Sequence, residues 1–445
     1  MRGSDIRAKS ASVNFREVRL DQPLIISDRP INFFTIAEVT LEVETRSGRS
    51  AHGHGQSVLS VPWAWPNSVL TVQKRDEALR SLVHHFVRSA LDSPTADPIT
   101  TWRHLTADLD RLLHDTTAPE GDPVPRLAGL LSLGAVDSAL HDAWGRAWGR
   151  SSLAMCSAEH LPEDLSWVDD SLRGVYPADA LSAPERTLEI QHVVGVDDPL
   201  TAADNNQART LEHWLSRDCP AHLKLKLAGA DPSVDAQRVV AVYELASQYQ
   251  DELTLALDPN EGYSRPAVAE ELLEEIARRS PLAAAAVDYV EQPISRDTTL
   301  ERGEMAALSR RVPVLLDEGF DRLSDLPKLL DQGWSGVVIK ASKGQTPAMV
   351  AAAAARAHGM WCLVQDLTAS SFALAHSARL VSALTLTRRH LEFNSRQFAP
   401  DSNAHFGEHY PSLVTVRDGT IRLPEGDGVG LYGFGNTHST RETTL

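Results

Sequence analysis

The sequence predicts an α/β barrel joined to a smaller α+β domain, and three observations carry that prediction. From about residue 187 onward, short apolar runs alternate with helical patterns of about ten to twenty residues, as in parallel strands linked by crossover helices. The runs are LEIQHVVGV, HLKLKLA, LTLALDP, VDYVEQP, VPVLLDE, GVVIKAS, WCLVQDL and HLEFNSR, and eight parallel strands is the number that closes into a barrel. Ahead of them the chain opens with strands followed by helices, an α+β order.

Taken in chain order, NFREVRLDQPLII and INFFTIAEVTLEVETRSGRSAHGHGQSVLSV, from about residue 14 to 60, alternate apolar and polar residues and predict strands. Ser47-Gly-Arg-Ser supplies a turn between them. Residues 74–92, 102–116 and 125–148 repeat apolar positions at three-to-four spacing and predict helices. Residues 151–186 are rich in Ser, Asp and Pro with weak periodicity and read as a linker. The chain thus divides into an opening domain (1–150), a linker (151–186) and a barrel (187–400).

Composition narrows the function. With 43 Lys and Arg against 60 Asp and Glu, the formal net charge is −17, which argues against nucleic acid or an anionic membrane surface as partner. The opening MRGSDIRAKSASVNFREVRL has no apolar signal-like stretch, and no run is long enough to span a bilayer, so a cytoplasmic location is expected. The three cysteines, Cys156, Cys219 and Cys362, form neither CxxC nor an even set, so any metal is held by oxygen or histidine.

The strand HLKLKLA carries Lys224 and Lys226 two residues apart, so both project to one face. Such a pair usually faces solvent; inside a barrel it needs countercharge, because an unpaired buried ammonium costs several kcal/mol. The next strands supply it. Asp258, Glu291 and Asp317 each stand near the C-terminal end of successive strands, 33 and 26 residues apart, and Lys340 follows 23 residues later. Three converging carboxylates repel one another unless a cation sits among them, and a hard divalent ion such as magnesium meets that demand.

The order Lys-x-Lys, Asp, Glu, Asp, Lys on successive strands, with ALHDAWGRA ahead of the barrel and VRDGTIRLPEGDGVGL after it, resembles the enolase superfamily. More narrowly it resembles the mandelate racemase/muconate-lactonizing family of lysine-pair type, over nearly the whole chain. The resemblance implies a modified TIM barrel of seven βα units closed by an eighth strand, and an α+β capping domain built from residues 1–150 and completed by 400–445. It also implies that Asp258, Glu291 and Asp317 hold one Mg2+, with Mn2+ as a substitute, and that Lys226 and Lys340 are an acid/base pair on opposite faces of a small carboxylate substrate. A homo-oligomer is expected.

The chemistry follows from the residue types as well. Removing a proton alpha to a carboxylate makes an enediolate, whose charge a divalent ion stabilises. A lysine serves as base near neutral pH only when burial and neighbouring positive charge lower its pKa toward about 7 to 8, and Lys224 beside Lys226 is placed to supply that charge and to contact the substrate carboxylate. Asn260, Asp366 and Glu392 fall at strand ends where substrate contacts are expected, and Glu318 lies beside a ligand position. His52 and His54 in AHGHGQ, with Trp63 and Trp65 after them, occupy the region that in this family forms a mobile loop over the site; as a metal motif HGHG lacks a third ligand.

Racemisation or epimerisation and cycloisomerisation are the expected reactions, with an acid-sugar-type dehydration also open. A histidine-based racemase is disfavoured, since the sixth strand carries Lys340 and Asp366 has no neighbouring histidine. Dipeptide epimerases of the lysine-pair subgroup place Asp-x-Asp on the eighth strand, where this chain has Glu392-Phe-Asn394. A Schiff-base aldolase using Lys340 and a non-catalytic binding barrel are the competing readings; neither has need of three converging acids.

Overall fold

The computed structural model describes residues 3–26, 29–115, 122–202 and 209–434, so residues 435–445 of the expected capping segment lie outside the described residues. Strands β1 (Ile6–Ile26), β2 (Arg29–Thr45) and β3 (Ser50–Leu59) form an antiparallel sheet in that order. β1 begins eight residues before the alternation becomes legible at Asn14, because its N-terminal half is an edge strand with Ser10, Ser12 and Asn14 on an exposed face. Helices Val72–Asp92, Pro98–Asp115 and Arg126–Trp148 complete the opening unit.

The helix Arg126–Trp148 is buried almost throughout, and the glycines of AHGHGQ explain how it fits. A Cβ at Gly53 would collide with backbone atoms of Ala139 and Ala143, and one at Gly55 with the backbone of Ala135. The two glycines lie on one face of β3 and let the helix backbone rest on the strand. His54, on the other face, meets Thr40 Oγ1 at 2.9 Å. The AHGHGQ segment is strand, as its alternation predicts, and the two tryptophans follow on a short turn of helix, Val61–Ala64, and its C-cap Trp65.

Residues 151–186 join the opening unit to the barrel. They fold into a helical turn and three 3-10 turns that bury Leu153, Met155, Leu161, Leu165 and Leu172 in the main core. Eight parallel strands follow: β4 (Thr187–Val194), β5 (His222–Lys226), β6 (Thr254–Asp258), β7 (Val287–Glu291), β8 (Val314–Leu316), β9 (Gly336–Lys340), β10 (Trp361–Gln365) and β11 (His390–Glu392). They pair in the order β10-β9-β8-β7-β6-β5-β4-β11, with β11 beside β10 to complete the curl, while β12 (Thr420–Arg422) adds antiparallel to β4. All eight anticipated strands are present, and an α/β barrel with an α+β unit over it is the observed fold.

Inside the barrel the strands contribute in layers. Ala256, Tyr289, Leu315, Val338 and Leu363 form a separate packed cluster, one residue from each of β6 to β10. Two residues further along each chain stand Asp258, Glu291, Asp317, Lys340 and Gln365, so the period of two stacks a polar layer on the apolar one. The last part of the chain returns to the opening unit. Leu431 N donates to Asp142 Oδ1 (2.9 Å), and Tyr432 OH donates to the His54 carbonyl (3.0 Å). No helix among the described residues is long and apolar enough to cross a membrane.

Gly55→Ala is expected to lower stability by about 3 kcal/mol by forcing the helix off the strand, whereas His52→Ala on the opposite face changes it by less than about 0.5 kcal/mol. Urea unfolding of both variants measures the difference.

Candidate active site

The polar layer is a lattice of buried opposite charges. Lys224 Nζ lies 2.9 Å from Glu291 Oε1, 3.1 Å from Asp258 Oδ2 and 3.3 Å from Glu392 Oε2, and donates to Gln365 Oε1 at 2.5 Å. Lys226 Nζ donates to Asp258 Oδ2 at 2.6 Å. Across the barrel, Lys340 Nζ pairs with Asp317 Oδ2 at 3.0 Å. All of these side chains are almost fully buried.

Burial and charge oppose each other here. Burial alone raises the Asp258 carboxyl, but Lys226 and Lys224 outweigh it and hold it well below the usual range. Asp317 is likewise lowered by Lys340, Lys343 and Lys224 against burial. Glu291 goes the other way: burial pushes it up to about 8, aided by Asp258 and Asp317 and only partly offset by Lys224. Burial favours a neutral Lys224, yet Glu291, Glu392 and Asp258 raise it well above its ordinary value.

Two oxygens stand out. Glu291 Oε2 and Asp317 Oδ1 are buried and receive no hydrogen bond from a donor among the described residues; the two carboxyls meet each other instead. Buried acceptors are almost always satisfied, so this pair marks a place with affinity for a cation.

A second ring of groups holds the first. Asn260, with φ at 44°, donates from its backbone to Asp258 Oδ1 (3.0 Å) and from Nδ2 to Glu318 Oε1 (3.0 Å). Glu318 also accepts from Trp63 Nε1 at 3.0 Å, and burial, with Asp317 and Asp258 nearby, pushes it up to about 7. Trp63 is the contribution of the opening unit. Its ring centroid is 5.6 Å from both Lys340 Nζ and Lys343 Nζ, roofing the lysine end of the lattice. Arg296 anchors that roof, donating to the Trp63 carbonyl at 3.0 Å while paired with Glu261 at 2.6 Å. Beside it a cleft of about 710 Å3, lined by Ala64, Asn67, Gly229, Asn260 and Arg296, opens between the opening unit and the ends of β5 to β7.

The structure thus brings together Lys224, Lys226, Asp258, Glu291, Asp317, Lys340 and Glu392, with Asn260 behind them. Asp366 is not among them. It is one residue past the inward position, accepts from Leu367 N (2.7 Å) and Ser377 Oγ (2.8 Å), and is pushed up to about 7 by burial. Gln365 takes the inward place, in register with Lys340, and its Nε2 donates to Tyr289 OH at 2.7 Å. Counting by twos from Leu363 would have found Gln365; Trp63 was marked by the resemblance as lying near the site, but its partner Glu318, 255 residues away, was not. Lys343, on the turn Ala341–Lys343 after β9, is buried, donates to the Phe320 carbonyl at 2.7 Å, and is lowered to about 8 by burial.

Comparison with known proteins accords with this arrangement. The family described as "Enolase C-terminal domain-like" matches residues 206–432, about half the chain. Muconate cycloisomerase 1 of Rhodococcus opacus is 25% identical over 424 residues, 93% of each chain. The hydrophobic dipeptide epimerase of a Flavobacteria bacterium is 28% identical over 218 residues, 47% of this chain and 55% of that one. Among solved structures, the L-Ala-D/L-Glu epimerase of Bacillus subtilis superposes with a TM-score of 0.62 at 19% identity, covering 95% of this chain and 98% of that one. The 2-chloromuconate cycloisomerase of Rhodococcus opacus gives 0.61 at 20% identity, covering 96% and 97%.

A barrel with acids and lysines on successive strand ends, under an α+β cap, defines an enzyme of the enolase superfamily. Within it, the chain belongs to the mandelate racemase/muconate lactonizing family.

Lys224→Ala is expected to cost about 3 to 5 kcal/mol at neutral pH, because it removes the ammonium that Asp258, Glu291 and Glu392 share and leaves their buried oxygens without that partner. The midpoint of guanidinium unfolding reads the loss.

Proposed function

We propose that this enzyme removes the proton alpha to the carboxylate of a small-molecule substrate, with Lys226 and Lys340 as acid and base on opposite faces, and that racemisation, epimerisation or cycloisomerisation follows. The observation that carries this reading is the placing of two buried lysines on the second and sixth barrel strands, each hydrogen-bonded or ion-paired to a different acid of one polar layer.

A single divalent ion, magnesium by preference, fits the acids. Asp258, Glu291 and Asp317 are all-oxygen donors, two of their buried oxygens have no hydrogen-bond donor, and a cation, the Lys224 ammonium, already stands within 3.1 Å of two of them. When bound, magnesium supplies stabilisation of the negative charge that grows on the carboxylate oxygens as the proton leaves.

The remaining steps belong to the chain's own groups. Lys226 takes or gives the proton on one face and Lys340 on the other; a racemase or epimerase alternates the two, whereas a cycloisomerase needs one of them to move the proton. Gln365, bonded to Lys224 and 3.5 Å from Lys340, orients the lysines. Trp63 and its Arg296 anchor exclude water from the Lys340 side. Glu392 already accepts from Lys224 and from Asn394 Nδ2 (3.1 Å), so both its oxygens have donors within the protein. That favours a substrate without an ammonium group at the β11 end, such as a muconate-type diacid or an acylated amino acid, over a dipeptide.

Incubation in heavy water with magnesium and a panel of muconate-type acids, acyl amino acids, dipeptides and sugar acids tests the proposal by mass spectrometry. The expected outcome is gain of one mass unit at the alpha carbon of a member without a free amine, lowered about 10²- to 10⁴-fold by Lys226→Ala or Lys340→Ala. Exchange that survives both substitutions would overturn the assignment of the bases. A stable borohydride adduct at Lys340 would favour the aldolase instead.

In a thermal scan, magnesium at about 100 times its Kd is expected to stabilise the wild type by about 2.7 kcal/mol, and Glu291→Gln or Asp317→Asn to remove most of that gain.

A further inference from the structure

Outside the polar layer of the barrel, the helical turn Ala404–His409 carries three metal-ligating side chains on one face. His405, Glu408 and His409 stand at positions i, i+3 and i+4, which are neighbours on a helix surface. One ligand atom from each lies within 4.8 Å of the others, and His405 Nδ1 is 3.3 Å from Glu408 Oε2. Among the described residues this is the one group of three or more His, Cys, Asp or Glu drawn together so closely.

The opposite face of the same turn holds it in shape. Phe406 and Tyr410 are buried and pack against each other with ring centroids 4.8 Å apart, Phe406 against Phe372 at 5.3 Å and Tyr410 against Phe434 at 4.6 Å. At the N-terminal end, Asn403 accepts from Ser371 N (2.8 Å) and donates to Ser395 Oγ (3.1 Å), and at the other end Pro411 begins the next turn. The backbone that spaces the ligands is therefore set by core packing, so binding an ion orders only side chains.

We propose that His405, Glu408 and His409 form a second metal site that takes a borderline divalent cation such as zinc. Two imidazole nitrogens and one carboxylate select zinc, nickel or copper over magnesium, which prefers oxygen and octahedral geometry. The site is thus chemically distinct from the all-oxygen set in the barrel. Three protein ligands leave a fourth tetrahedral position for water or for a donor from another molecule. His405 and Glu408 are 75% and 71% exposed, so the ion is reached directly from solvent.

Zinc titration by calorimetry, on full-length protein held in excess magnesium, tests this. Zinc entering the barrel or other histidines is common to all the proteins compared and cancels. Wild type is expected to bind one more zinc per chain than the double variant His405→Ala/His409→Ala, with Glu408→Gln weakening that site about ten-fold. Copper EPR is expected to show two equatorial nitrogens in wild type that the double variant lacks. Equal zinc stoichiometry and affinity in wild type and double variant, or a copper spectrum unchanged by the substitutions, would overturn the site. Circular dichroism of these surface variants verifies that each is folded.

Discussion

Charge balance inside the barrel is the constraint on which the rest depends. Three lysines and four acids are taken out of water in one layer, and no member could stay ionised there alone. Lys224 touches three of the acids, while Lys226 and Lys340 each hold one. Replacing such a lattice with apolar residues would cost little in stability, so its presence is a mark of chemistry rather than of folding need. The apolar layer beneath supports it: Tyr289 belongs to that layer, yet its hydroxyl accepts from both Gln191 (3.0 Å) and Gln365 (2.7 Å), joining packing to the polar network.

The opening unit is tied to this layer by buried polar contacts as well as by packing. Asp137, on the long buried helix, accepts from Thr346 N and Thr346 Oγ1, both at 2.7 Å, just beyond the strand that carries Lys340. Gly344, at φ 117°, permits the approach; a Cβ there would stand 2.6 Å from Asp137 Oδ2. Burial pushes the Asp137 carboxyl up to about 7, which shows how completely this contact is withdrawn from water. Trp63 makes another tie, from the turn after β3 to Glu318, so the roof of the site comes from the opening unit and the floor from the barrel.

Much of this was legible beforehand because strand periodicity is a local property. Lys224 and Lys226 had to share a face, and Asp258, Glu291, Asp317 and Lys340 had to fall at equivalent places on successive strands once each βα unit was counted. Where local reading failed, it did so by one residue or by a missing partner. Asp366 was named as an acid at a strand end, whereas parity with Leu363 turns its neighbour Gln365 inward. The AHGHGQ glycines were overlooked because their purpose is to let a helix 80 residues away come close. Residues 151–186 show weak periodicity because they bury their apolar residues from short 3-10 turns, which need none.

By itself the sequence determined the eight-strand alternation, the polar face of each strand and the order of lysines and acids along the barrel, since these follow from the two-residue repeat and the length of a βα unit. Only the tertiary structure decided which acid each lysine serves, that Glu392 is spent on Lys224, that Trp63 roofs Lys340, and that His405, Glu408 and His409 stand clear of the core on an anchored turn. Those outcomes depend on barrel closure and on the packing of distant segments, and no spacing within one segment encodes the contacts it makes with another.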